Sequence, residues 1–168
     1  MDKTTFLTRY ADVFEHASWI AERAFADLQS DGSSQPSAQR IHAAMVDVFR
    51  AATHAERMKI IQDHPNLAGK LAQAKRLTAA SSEEQAGVGL DVLTDEERTR
   101  FDALNARYKE RFGFPFIIAV KDHSKARILT EFAVRVKNDA VTEFNKACLE
   151  VERIAFHRIN ALAQMSSA

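Results

Sequence analysis

Phe114-Pro115-Phe116-Ile117-Ile118-Ala119-Val120 is the one strand-like run in the chain. A strand needs a hydrogen-bonded neighbour, and no second run with period-two alternation offers one. Only 5 glycines and 3 prolines punctuate 168 residues. Between them apolar residues recur at helical spacing, so the run reads as an extended buried connector in an all-α protein. The expectation is a single-domain bundle of about eight helices over residues 1–168. A buried connector must find partners for its amides and carbonyls, because each one left unpaired costs about 1–3 kcal/mol. Loops, water or a bound ligand can supply them.

Working outward, Thr94-Asp95-Glu96-Glu97 is a capping box opening a helix to Phe112, with Phe101, Leu104, Tyr108 and Phe112 along one side. Gly113 stops it. Downstream, Ser124 caps a helix to about Lys137, with Ile128, Leu129, Phe132 and Val136 inward. A last helix over about 139–163 turns Val141, Phe144, Ala147, Val151, Ile154 and Leu162 inward and spans roughly 35 Å. Upstream, residues 4–15 form a short helix or two turns. Ser18 caps a helix through Asp27, with Trp19, Ile20, Ala24 and Phe25 inward. Asp31 to Pro36 is a loop, and Ser37 caps a helix whose stripe is Ile41, Ala44, Met45, Val48, Phe49 and Ala52. A helix over about 54–62 brings Met58 and Ile61 inward and ends at His64-Pro65. Leu67 to Leu77 holds a short helix or turn.

Apolar residues make up 46% and charged ones 27%, the composition of an ordinary globular chain. Lys+Arg and Asp+Glu are 23 each, which argues against a nucleic-acid binder working through a broad basic field. No apolar run approaches the roughly 20 residues that span a bilayer, so no membrane partner is expected. Met1-Asp2-Lys3-Thr4-Thr5 lacks the apolar core of a signal peptide. Ser166-Ser167-Ala168 is not a peroxisomal address of the Ser-Lys-Leu type. Cys148 is the one cysteine and sits on an apolar helix face, as a core residue rather than a nucleophile. With no intrachain disulfide possible, a reducing, cytoplasmic setting fits.

Two polar clusters stand out. Asp63-His64-Pro65-Asn66-Leu67-Ala68-Gly69-Lys70 breaks an apolar helix. Proline disfavours the α conformation in the residue before it, so His64 is freed to point into a cleft. Gly69 permits a tight turn or a close backbone approach. The second cluster is Ser81-Ser82-Glu83-Glu84-Gln85-Ala86-Gly87. The two are read as facing each other across one dry small-molecule pocket. Each also has a plainer explanation. A histidine at a helix end is commonly a satisfied polar residue, and Ser81-x-x-Glu84 is itself a capping box. The roles can coexist, since a helix start presents free N–H groups to an anion. The chain has no Gly-rich phosphate loop, no Rossmann fingerprint, no Cys/His metal spacing and no Gly-x-Ser-x-Gly elbow. His16, His42, His54, His64, His123 and His157 are scattered. A histidine–glutamate pair with Gln85 beside it remains, a set able to do general acid–base work without a cofactor.

The ordered motifs resemble the 2-oxo-4-hydroxy-4-carboxy-5-ureidoimidazoline (OHCU) decarboxylases of urate degradation. The matching pieces are His64-Pro65-Asn66-Leu67-Ala68-Gly69-Lys70, Ser81-x-x-Glu84-Gln85 with Gly89-Leu90, and Asn105-x-x-Tyr108-x-x-Arg111-Phe112-Gly113-Phe114-Pro115-Phe116. Arg127-Ile128-Leu129 and Glu150-Val151-x-x-Ile154-Ala155-x-x-Arg158 follow. The resemblance implies an all-α homodimer without metal or organic cofactor, which removes carbon dioxide from OHCU to give (S)-allantoin. It implies that His64 is the catalytic histidine. It further implies substrate contacts from Pro65, from Ser81, Ser82, Glu83, Glu84 and Gln85, and from the backbone of Phe116, Ile117, Ile118, Ala119 and Val120. Arg158 matches an arginine associated with the site. On that basis His64 manages a proton, Glu84 orients His64 or the ureido N–H groups, Gln85 and the connector read ring amides, and Arg158 pairs with an anionic group. The competing reading is a helical ligand- or partner-binding module without catalysis, whose polar clusters are only caps. A metal-dependent ureohydrolase lacks the ligand spacing.

Overall fold

The computed structural model describes residues 1–30, 36–68 and 78–165. The expected loop at 31–35, the Gly69 turn and the remainder of the Leu67–Leu77 expectation lie outside these residues, as does the C-terminal tripeptide. The described residues contain eight α-helices, one 3-10 turn and no strand, as the glycine-poor, helix-periodic sequence requires. Two compact units emerge, one from residues 1–60 with 152–168, the other from residues 61–151.

In the first unit, α1 (Lys3–Tyr10) starts where Asp2 accepts from the Thr5 amide at 2.9 Å. The helix ends five residues earlier than the expected limit at 15. The Val13 amide turns back to the Tyr10 carbonyl (3.2 Å) and the Ala17 amide to that of Phe14 (3.1 Å). These tight turns bury Val13, Phe14 and Ala17 in directions that one helix face could not reach. α2 (Ser18–Ser30) contains Ser18 as its first residue, rather than as a cap, and runs past Asp27. Its buried stripe is Ile20, Ala21, Ala24 and Leu28. Trp19 and Phe25 are only half-buried: Trp19 lies under the Arg23 guanidinium (4.5 Å), and Phe25 meets Phe6 at a 47° tilt. α3 (Ala38–Ala51) is capped by Ser37 and lays Ile41, Ala44, Met45, Val48 and Phe49 into the core against α2. The Arg50 guanidinium grips the Glu152 carboxylate through two bonds of 2.8 and 2.6 Å.

α4 (His54–Asp63) opens on a reciprocal cap that sequence reading passed over: Thr53 accepts from the Glu56 amide while Glu56 accepts from the Thr53 amide. Ile60 and Ile61 are buried, and Met58 is half-buried instead of inward.

The second unit takes in α5 (Ala79–Ala86), α6 (Asp95–Phe112), a 3-10 turn (Val120–Asp122), α7 (Lys125–Arg135) and the first half of α8 (Ala140–Gln164). α6 carries the expected Thr94–Glu97 capping box. Gly113 ends it at φ 76°, a left-handed conformation that costs glycine little. α7 starts at the Ser124 cap and buries Ile128, Leu129 and Phe132. α8 begins where Asp139 accepts from the Thr142 amide at 2.9 Å. Phe144, Ala147, Cys148, Val151 and Ile154 are buried along it, whereas Val141 is 71% exposed. Val141 lies at the margin of that stripe in the first turn, which explains why periodicity alone placed it inward.

Every residue from Phe114 to Val120 is buried, so the connector runs through the core of this unit. Aromatic rings hold it. Phe116 stacks on Phe132 at 3.9 Å between centroids with 12° between planes, and Tyr108 meets Phe116 edge-on at 5.4 Å.

Candidate active site

α5 is the element on which the candidate residues converge. Its N-cap is Thr78, whose hydroxyl accepts from the Ser81 amide at 3.1 Å. The capping box read at Ser81-x-x-Glu84 is therefore a misplacement by three residues. Ser81 sits inside the helix, and Ser81, Glu84 and Gln85 form its buried face at i, i+3, i+4 spacing. A helix cannot bury five consecutive residues on one side, so Ser82 and Glu83 are exposed. Capping thus leaves the side chains of Glu84 and Gln85 for other work.

Gln85 uses both ends of its amide on the His-Pro segment. Its Oε1 accepts from the Ala68 amide at 2.9 Å and its Nε2 donates to the Asn66 carbonyl at 3.2 Å. Asn105, on α6, donates from Nδ2 to the Leu67 carbonyl at 2.8 Å. Two side chains from two helices thereby fix the backbone of 66–68, where Ala68 adopts φ 49°. Outside such a clamp a non-glycine residue seldom holds that conformation. Immediately before it, His64 and Pro65 are half-buried, and the His64 amide closes on the Ile61 carbonyl at 3.3 Å, just past the end of α4. Asn105 was visible in the sequence as part of a motif, but nothing in its spacing assigned it this bond.

The other flank of α5 lies against the 3-10 turn Val120–Asp122, where the connector ends. Two buried charged side chains take up connector backbone. Arg135 donates from Nη1 to the Ile117 carbonyl at 2.8 Å, and Glu150 Oε2 accepts from the Ala119 amide at 2.9 Å. The Arg135 guanidinium stands 4.4 Å over the Phe116 ring and within 2.6 Å of the Glu143 carboxylate. Glu143 also accepts from the Tyr108 hydroxyl and from the Asn138 amide. Burial, reinforced by the Glu143 carboxylate, pushes the Tyr108 phenol far above its ordinary range, so it stays a donor.

Arg158 lies in the first unit, where it donates to the Val13 carbonyl at 3.2 Å and pairs with Glu15 at 3.3 Å. A cleft of about 110 Å³ is lined by Asn66, Ala68, Asp102, Asn105, Ala106 and Lys109, and none of the site residues expected from sequence lines it. No group of three or more His, Cys, Asp or Glu side chains among the described residues is placed to hold a metal ion.

Comparison with known proteins identifies the family. The model of the OHCU decarboxylase family matches residues 1–160. The chain belongs to the OHCU decarboxylase family. An OHCU decarboxylase of Haloferax volcanii is 34% identical over 95% of the chain and 89% of its own length. The one from Mus musculus is 32% identical over 96% and 88%. A uric acid degradation bifunctional protein of Bacillus sp. (strain TB-90) is 35% identical over 96% of the chain, which spans only 30% of that relative's length. Its counterpart in Bacillus subtilis is likewise spanned for 30% of its length. Among solved structures, an (S)-allantoin synthase superimposes with a TM-score of 0.75 at 25% identity, covering 96% of this chain and 51% of that one. An OHCU decarboxylase solved in the presence of (S)-allantoin shares the fold, with a TM-score of 0.64 at 19% identity over 88% of this chain and 92% of its own.

Proposed function

We propose that this chain decarboxylates OHCU to (S)-allantoin in urate catabolism, with the site built around α5. The observation that carries the reading is convergence: one short helix buries Glu84 and Gln85, is tied through Gln85 to the segment after His64-Pro65, and adjoins the end of the 116–120 connector.

The chemistry suits these residues. In OHCU the carbon bearing the carboxylate also bears a hydroxyl and neighbours a C=N bond. When the carbon–carboxylate bond breaks, carbon dioxide leaves and the electron pair flows into that C=N unit. The substrate is its own electron sink. The protein has to hold the carboxylate out of the ring plane, handle the hydroxyl proton and protonate one face of the adjacent carbon. His64 is the acid–base group, an imidazole able both to take and to give a proton. Glu84 orients His64 or the ureido N–H groups. Ser81 contributes a buried hydroxyl beside it. Gln85, whose amide is engaged at 66–68, holds the His-Pro segment in place as its first task. Pro65 and the connector backbone touch substrate, the connector reading its ring amides. Ser82 and Glu83 contribute backbone only. The enzyme works as a homodimer in the cytoplasm, with no cofactor, and the whole length acts as one domain. Continuity of the family match from residue 1 to residue 160 supports that last point.

OHCU also decays unaided, to racemic allantoin, so function appears as speed and handedness. Circular dichroism of urate carried through fresh OHCU should show one allantoin enantiomer appearing faster with the protein than without. No acceleration refutes the assignment. In the same assay His64→Ala should lower kcat by about 10²–10⁴, and near-normal turnover removes His64 from the mechanism.

A further inference from the structure

A connector buried over seven residues, in a unit without strands among its described residues, must find backbone partners one by one. Two are accounted for by unusual means. The Ile117 carbonyl and the Ala119 amide are met by ionised side chains, Arg135 from α7 and Glu150 from α8, both buried at 3% and 8% exposure. Between them sits Ile118, whose amide and carbonyl meet no hydrogen-bond partner among the described residues.

Burying two charges merely to satisfy two backbone groups is a costly solution, since neutral side chains would serve. The charges are, however, strongly directional. The guanidinium is locked on its other edges by Glu143 and by the Phe116 face. Glu150 is braced by Lys146 at 3.2 Å, and its carboxylate lies 4.0 Å from Arg135. Neither side chain can swing aside to follow a shifting backbone.

We infer that Arg135 and Glu150 are positioning residues, which pin the connector on both sides of Ile118 so that its N–H and C=O stand ready for a ligand. A donor and an acceptor on one residue match a ligand edge carrying an acceptor and a donor side by side, as a cyclic amide or a ureido group does. The inference rests on the proposed decarboxylase reading, in which the connector faces substrate. It adds two residues that do not themselves touch it.

Glu150 is the better test, because removing Arg135 would strand Glu143. Steady-state kinetics with fresh OHCU should show KM in Glu150→Ala raised roughly 10–100-fold, with kcat less affected, since misplacement of a binding group acts at that scale. Backbone amide exchange at Ala119 should accelerate at least about tenfold in parallel. Glu150→Gln keeps an oxygen for the Ala119 amide and should recover most of both losses. A merely structural role would lower thermal stability without the KM-specific change or its rescue by glutamine. A folded Glu150→Ala protein with parental KM overturns the inference, as does unaltered exchange at Ala119. If Glu150→Ala fails to fold, Glu150→Asp, one methylene too short to keep the contact, decides by the same criteria. A parent protein inactive on OHCU defeats the proposed function itself, while the exchange measurement still decides whether Glu150 holds the connector.

Discussion

Tyr108 shows how far one residue's chemistry can be read from its surroundings. It is completely buried, with its hydroxyl given to Glu143. Its ionisation is raised first by burial and then by that carboxylate. Below about pH 10 the phenol is protonated in both folded and unfolded chains, so its contribution to stability is fully present. Above that pH the unfolded chain loses the proton while the folded one keeps it, and stability falls by about 1.4 kcal/mol per pH unit. Urea unfolding between about pH 9 and 11 should show this decline in the parent and a shallower one in Tyr108→Phe. Equal slopes would mean that Tyr108 titrates normally. Sequence periodicity put Tyr108 on the helix side shared with Phe101, which proves to be the buried one, but could not name Glu143, 35 residues away. Gln85 was unreadable for the same reason. Its residue type suggested a substrate amide reader, whereas its partners are backbone groups 17 and 19 residues back.

At the scale of elements, helix starts were the most legible features, and they also produced the clearest error. Ser37, Thr94 and Ser124 cap the helices they were expected to cap. At α5, Thr78 and Ser81 are both credible caps three residues apart, and burial of Ser81 and Glu84 decided between them. The distinction matters for function and separates two substitutions. Thr78→Ala should cost about 1 kcal/mol of stability, read from the denaturant midpoint, through loss of the cap bond. Glu84→Ala leaves that bond intact and should instead depress allantoin formation. The reverse pattern would restore the reading of this cluster as a plain cap. The early end of α1 and the outward turn of Val141 had no local signal, because both depend on which neighbours cover a given face.

Across the whole molecule, the all-α class and the strandless connector followed from the scarcity of glycine, proline and period-two alternation. The division into two compact units did not, since α4 and α8 each contribute to both without any break in their sequence. No described helix is long and apolar enough to cross a membrane. Val134, Val141 and Leu149, on α7 and α8, are large apolar side chains left 55%, 71% and 53% exposed. The proposed homodimer would cover them with a second copy. Sedimentation velocity should then find a dimer in the parent and a monomer in a Val141→Asp, Leu149→Asp double variant. A parent that is monomeric throughout the concentration range rejects the dimer.

The Arg135–Glu143–Glu150 set also constrains how this sequence can drift. Losing Arg135 or Glu143 alone leaves the other's buried charge uncompensated, at a cost of about 3–5 kcal/mol, a large share of a domain's total stability. Single-step histories through that pair are therefore closed, whereas Glu150, 4.0 Å from Arg135, can change by itself. Descendants should either keep Arg135 and Glu143 or exchange them together for neutral side chains, with the tyrosine hydroxyl finding a new acceptor in the same transition.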